Sequence, residues 1–248
     1  MARFAIDAPA RESVRGGLLS VARVIDAPKE ALYLGVTHLI GDEAPPAPTP
    51  AEGVDKNFGI FEDVADWDPF TLYKGIEYSM LLGEKPDVAG LFSAGETYGV
   101  EKAVQALALN PFADDITPTP GTPVTNIKYA FGLLEQYAAD HYSGLPMLHG
   151  NKVAISLASE FLADSGAGTL HSKLGTPIVT GGGYGPAGPS AAGAGEAWLY
   201  ITGAVTILRG PLAVYPAHNL KGNRSLALAE RTYVPVVDGF VAAILVGI

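Results

Sequence analysis

The chain has no cysteine at all, and this excludes a disulfide framework, a thiolate metal site and a cysteine nucleophile. Charge is scarce as well. Only 17% of the residues are Asp, Glu, Lys or Arg, against 48% apolar, which leaves little charge to coat a solitary globule. A basic excess is missing: the net charge is -10, so a grip on nucleic acid through phosphate contacts is excluded. There is no long apolar run either. The most apolar stretch, Val236 to Ile248, carries Asp238 and two glycines and falls short of the roughly 20 residues a spanning helix needs, so no membrane partner is expected. The opening residues MARFAIDAPARE hold Asp7 and Glu12 where an export signal needs unbroken apolar sequence. An apolar surplus without a membrane segment points to permanent subunit interfaces.

The charges that are present are unevenly spread. Residues 41–70 hold eight carboxylates against the single Lys56, a net -7 of the chain's -10. Within this stretch GDEAPPAPTPAEGVDKN carries four prolines and two glycines, so neither a helix nor a central strand runs through it. Flanked by THLI and FTLYKGIEYSMLL, it reads as a two-stranded excursion with an irregular acidic tip, marginal in water unless it lies on something.

Periodicity predicts a short helix near Arg15 to Val24 and a long one from Ser93, capped with Glu96, to Leu109, before Asn110 and Pro111 stop it. A second long helix follows, with Thr122 as cap, Pro123 in its first turn and a stripe of Val124, Ile127, Phe131 and Leu134. A third begins near Asn151, with Ala154, Leu157, Ala158, Phe161 and Leu162 on one face. Beyond Gly175 the character is strand and loop: AWLYITGAVTIL, PLAVYP, SLALAERTYVPVV and GFVAAILVGI read as four strands. Helices precede strands without βαβ alternation, which gives an α+β class.

Catalytic chemistry finds little support. His38, His141, His149, His171 and His218 show no metal-ligand spacing and read as polar tips at element ends. Gly183, Gly185 and Gly188 match a GxGxxG pattern, but Pro189 and Gly193 block the helix that a dinucleotide site requires. Asp114 with Asp115, and Glu62 with Asp63, read as solvated carboxylates or ion-pair partners across subunits. No cofactor and no catalytic residue is expected.

The block NRSLALAERTYVPVVDGFVAAILVGI, with Ala229, Glu230 and Arg231 as its Ala-Glu-Arg step, resembles the closing strands of the major capsid proteins of tailed bacteriophages. YAFGLLEQYAADHYSGLPMLHGNKVAISLASEFL, followed by LGTPIVTGGGY, is similar to the axial domain of capsid proteins from phages of actinobacteria. The resemblance implies the Hong Kong ninety-seven type fold, with an N-terminal arm over 1–38 and an extended loop hairpin over 39–80. A peripheral domain with a long spine helix would span 81–122 and 210–248, and an axial domain 123–209. It further implies copies of the chain as partners, arranged in pentamers and hexamers of an icosahedral shell assembled in a bacterial cytoplasm. Scaffold, portal and decoration proteins are further implied partners, and packaged double-stranded DNA is met by proximity alone. Some relatives weld neighbours through a lysine-asparagine bond, for which Lys56 with Asn110 or Asn223 is left open. The acidic loop, through Glu62, Asp63, Asp66 and Trp67, is expected to contact Arg15, Arg23 or Arg209 of a neighbour. Competing readings are an encapsulin-type nanocompartment shell and, in a different class, a small-oligomer hydrolase with an unrecognised site.

Overall fold

The computed structural model describes residues 17–29, 32, 38–40, 61–63, 69–79, 87–119, 122–164, 169–181, 196–219 and 224–247. In chain order these form α1 (Leu18–Val21), β1 (Arg23–Asp26), β2 (His38–Ile40), β3 (Phe61–Asp63) and β4 (Phe70–Ser79). The helix α2 (Val88–Val104) runs into a π-turn (Gln105–Leu109), followed by β5 (Asp114–Asp115), α3 (Ile127–His141), β6 (Met147–Asn151) and α4 (Lys152–Leu157). Strands complete the chain: β7 (Leu162–Asp164), β8 (Leu170–Ser172), β9 (Pro177–Gly181), β10 (Glu196–Thr202), β11 (Val205–Arg209), β12 (Ala213–Asn219), β13 (Arg224–Val237) and β14 (Val241–Gly247).

Among the described residues the strands make a five-stranded sheet, a seven-stranded sheet and the separate pair β2-β3. The five-stranded sheet is built on β13, whose residues Arg224 to Tyr233 run antiparallel to all of β4. Its other edge is shared by β12 and then β11, with β1 parallel outside β11. The seven-stranded sheet runs β5-β14-β10-β6-β9-β8-β7. Its interior strand β10 is apolar on both faces, as a strand covered on both sides must be. Trp198 and Tyr200 point to a core shared with Val100, Val104 and Leu109 of the spine and with Ile207 and Tyr233 of the other sheet. Leu199 and Ile201 point the opposite way, onto Phe131 and Leu134 of α3 and Ile155 of α4.

Several expected elements lie elsewhere in the structure. The spine helix starts at Val88, not Ser93, because the Asp87 carboxylate accepts the Gly90 N–H at 3.0 Å and caps an earlier turn. Val88 and Phe92 then bury against Ala227 and Ala229, so the extra turn is held by packing. Thr122 and Pro123 do not open the next helix. Val124 there is extended and bridges to Val246, and Asn126 caps α3 by accepting the N–H groups of Lys128 and Tyr129. Asn151 does cap a helix, but α4 stops at Leu157, and Leu162 belongs to a strand. Of the helix expected near Arg15, the described part is the single turn α1, and Arg23 and Val24 lie in β1.

THLI and FTLYKGIEYS do not pair with each other. His38 to Ile40 pair with Phe61 to Asp63, while β4 is committed to β13 over ten residues. AWLYITGAVTIL is two strands in two sheets, divided at Gly203, where an added Cβ would meet the Asp238 carbonyl oxygen at 1.9 Å. Sheet membership therefore cuts across the boundary expected at residue 210. Val205–Arg209 lies with β13, and Val241–Gly247 returns to the seven-stranded sheet beside β10.

Candidate functional site

Among the described residues no three His, Asp or Glu side chains gather as a metal site would require, and no helix is long and apolar enough to cross a membrane. Among the described residues the histidines join no such group. His149 is not a polar tip: it is fully buried in β6, with Nε2 3.0 Å from the Thr202 hydroxyl. Burial holds its pKa down to about 3, so it stays neutral. His141 closes α3, its Nδ1 2.8 Å from the Tyr137 carbonyl and its ring stacked on Tyr137. Asp114 and Asp115 form β5 against β14, and Asp115 accepts the Thr117 N–H. Gly183, Gly185 and Gly188 lie outside the described residues.

Of the residues expected to make contacts between copies, Glu62, Asp63, Arg23 and Arg209 are among the described ones. Glu62 and Asp63 sit on β3 opposite Leu39 and His38, whereas Arg15, Asp66 and Trp67, together with Lys56 and Asn223, lie outside the described residues. Arg23 opens β1 on the surface. Arg209 already has a partner within its own chain: its Nε donates to Asp26 at 2.8 Å, which holds the Asp26 carboxyl below the usual range. Asn110 is buried at the end of the spine.

Two surface features stand out, and of their residues the sequence singles out only Tyr73, as an aromatic anchor for a neighbouring copy. The five-stranded sheet is covered by α2 on one face and only in part on the other. There Ala27 and Leu32 shield Val234 and Val236, but Tyr73, Tyr215 and Leu226 remain exposed. By register Tyr73 faces Glu230 and Tyr215 faces Leu228, so these rings and leucines share one face. At the end of α3 a cavity of about 270 Å³ is lined by Glu135, Ala138, Tyr142, Gly144, Pro146 and Leu174. Leu174 is 80% exposed and the nearby Leu145 65%. Isolated exposed leucines are ordinary, but apolar groups clustered at a sheet face and a cavity rim mark contact surface.

A buried polar cluster also went unread. Glu96 of the spine accepts hydrogen bonds from Arg231 Nη1 at 2.5 Å and from the Tyr233 hydroxyl at 2.7 Å, pinning α2 onto β13. Burial, with Glu96 beside it, pushes the Tyr233 hydroxyl pKa up. The signal present in sequence was the i, i+2 pair Arg231 and Tyr233, which puts both side chains on one face of a strand.

No family model and no curated protein matches this chain by sequence. Solved structures do match in shape. An encapsulin complex from Synechococcus elongatus superposes with a TM-score of 0.63 at 10% identity, covering 98% of this chain and 91% of that one. The capsid of a native GTA particle gives 0.58 at 12% identity over 100% and 93%. Mycobacterium phage Che8 gives 0.57 at 13% identity over 98% and 94%. The chain has the Hong Kong ninety-seven type fold. In that fold α2 is the spine helix, and Arg231 of the Ala-Glu-Arg step is what fastens the spine to the sheet.

Proposed function

We propose that this chain is a major capsid protein, a shell subunit that self-assembles into pentamers and hexamers of an icosahedral head. The observation that carries the proposal is the end-to-end likeness to subunits of closed particles, which leaves almost none of either chain unmatched. Composition supports it, since 48% apolar residues with 17% charged suit a surface spent on interfaces. So do the uncovered half of the five-stranded sheet and the leucine-rimmed cavity, which supply apolar contact area at opposite lobes of the subunit.

In this reading the five-stranded sheet with α2 is the peripheral domain. The seven-stranded sheet with α3 and α4 is the axial domain, which meets its copies around five- and six-fold centres. The acidic stretch holding Glu62, Asp63, Asp66 and Trp67 reaches a neighbour, with Arg15 and Arg23 as its basic partners. Arg209 serves there only by exchanging Asp26 for a neighbour's carboxylate. Many weak contacts in a closed symmetric shell sum to high stability while single errors still dissociate. The protein acts without catalysis or cofactor, in the virion after assembly in the host cytoplasm. Scaffold, portal and decoration proteins are its further partners, and the genome is enclosed without being gripped.

Electron microscopy of the purified chain tests this reading: closed, regular particles are expected, and a stable monomer or small oligomer at every protein and salt concentration overturns it. The likeness to an encapsulin favours a second reading, a nanocompartment shell. Analysis of what the particles enclose separates the two, DNA for a head and a single enzyme for a compartment.

A further inference from the structure

The spine helix ends in a feature that its packing role does not require. Glu101, on the face of α2 turned to the core, is only 4% exposed. Its carboxyl accepts the side-chain amide of Gln105 at 3.0 Å, and Gln105 opens the π-turn that closes where the Asn110 N–H donates to the Gln105 carbonyl at 3.0 Å. Gln105 and Asn110 are both 1% exposed. Among the described residues, Gln105 Oε1 and Asn110 Oδ1 have no hydrogen-bond donor. Glu101 is therefore a buried carboxyl whose side-chain partner is the neutral amide of Gln105, an arrangement that suits a neutral carboxylic acid and penalises a carboxylate.

The surrounding charges do not offset that penalty. On β13, Arg231 and Tyr233 are engaged by Glu96. On β4, Tyr73 points to the opposite face of the sheet, and Lys74 is exposed. Lys102, on the same helix, lies over the Tyr98 ring. The elements α1 and β9 carry no ionisable side chain. Lys152, at the first position of α4, is the cation that acts on Glu101, without forming an ion pair with it. Burial outweighs both Gln105 and Lys152, and the Glu101 pKa rises to about 7.

We infer that Glu101, Gln105 and Asn110 form a proton-gated joint at the end of the spine helix. With its proton, Glu101 stays buried and the π-turn is closed. When the proton passes to water, the carboxylate requires solvation, and the nearest route to it is opening of the Gln105–Asn110 turn. Ala108 and Leu109, which pack with Trp198 and Tyr200, then loosen from the core between the sheets. One proton sets the gate, so the open population rises by up to about tenfold per pH unit from the ordinary carboxylate range toward 7 and levels off above it.

Hydrogen exchange followed by mass spectrometry on the full chain tests the joint, at pH values from 5.5 to 8.5, with rates corrected for the intrinsic effect of pH. Residues 103–112 are expected to open about tenfold more at pH 6.5 than at 5.5 and to change little above about pH 7.5. Residues 127–141 of α3 serve as the reference and should not change. In Glu101→Gln, which keeps the hydrogen-bonding shape and cannot ionise, the 103–112 profile should be flat. A flat profile in the unsubstituted chain overturns the inference, as does an equal slope in Glu101→Gln. If Glu101→Gln does not fold, the unsubstituted profile decides: a rise confined to 103–112 that levels off near pH 7 supports the joint, and its absence overturns it. The outcome does not depend on whether the chain builds shells.

Discussion

Arg231 Nη1 lies 2.5 Å from Glu96 Oε1, across the seam between the last long strand and the spine helix, with both side chains mostly buried. Removing one member leaves the other as an uncompensated charge in a dry site. Arg231→Met is expected to destabilise the fold by about 3–5 kcal/mol. Tyr233→Phe, which removes one neutral donor from Glu96, should cost about 1–2 kcal/mol. Urea unfolding of the two variants beside the parent checks the ranking, and equal losses would mean that the ion pair is not the stronger contact.

Glycines divide by what surrounds them. A Cβ at Gly203 would meet the Asp238 carbonyl at 1.9 Å, and backbone cannot step aside there. Gly203→Ala should therefore cost about 1–3 kcal/mol. Gly95 and Gly132 sit inside helices with nothing within 4 Å of a new Cβ. Each Ala substitution there should add about 0.5–1 kcal/mol, read as a raised midpoint in thermal unfolding.

Two buried groups give stability opposite slopes with pH. His149 titrates near 3 in the fold against 6.5 ordinarily, so the unfolded chain binds a proton the fold refuses. Its contribution is complete above about 6.5 and is lost as the pH falls toward 3. Glu101 titrates near 7 against 4.5, so the fold retains a proton the unfolded chain has released, and stability falls as the pH rises from 4.5 through 7. Unfolding by urea at pH 4, 5.5, 7 and 8.5 should show both declines. His149→Gln should lose part of the acid-side decline, and Glu101→Gln the alkaline one.

Much of this was legible in the chain. The stop at Asn110–Pro111 and the apolar C-terminal strand were read as they stand, because each is a local pattern of hydropathy or backbone restriction, whereas AWLYITGAVTIL was read as a single strand and its division at Gly203 was not. The helix starts were misread because several residues were competent caps, and tertiary packing chose Asp87 and Asn126 over Ser93 and Thr122. The pairing of Arg209 with Asp26 and of Arg231 with Glu96 spans 183 and 135 residues, and no local periodicity encodes a partner at that range.

Reversing Glu62, Asp63 and Asp66 together to lysine should impair particle formation while leaving monomer folding unchanged, because in the proposed reading these carboxylates act between copies. Circular dichroism and sedimentation together check it. Normal particles from the triple variant at low salt would remove these carboxylates from the contact.

Tyr73→Ser combined with Leu226→Ser alters only the uncovered face of the five-stranded sheet. Unfolding should shift little, and the protein concentration needed to form particles should rise at least tenfold, measured by light scattering. An unchanged threshold would place the contact elsewhere.

The backbone leaves one sheet for the other at Gly203 and comes back at Asp238, and the two crossings are tied side by side: the Asp238 N–H donates to the Ala204 carbonyl and the Gly203 N–H to that of Phe240. Neither lobe is a continuous stretch of polypeptide that a protease could release whole or a gene fusion could transplant. A pull on either lobe travels through this double stitch to its companion.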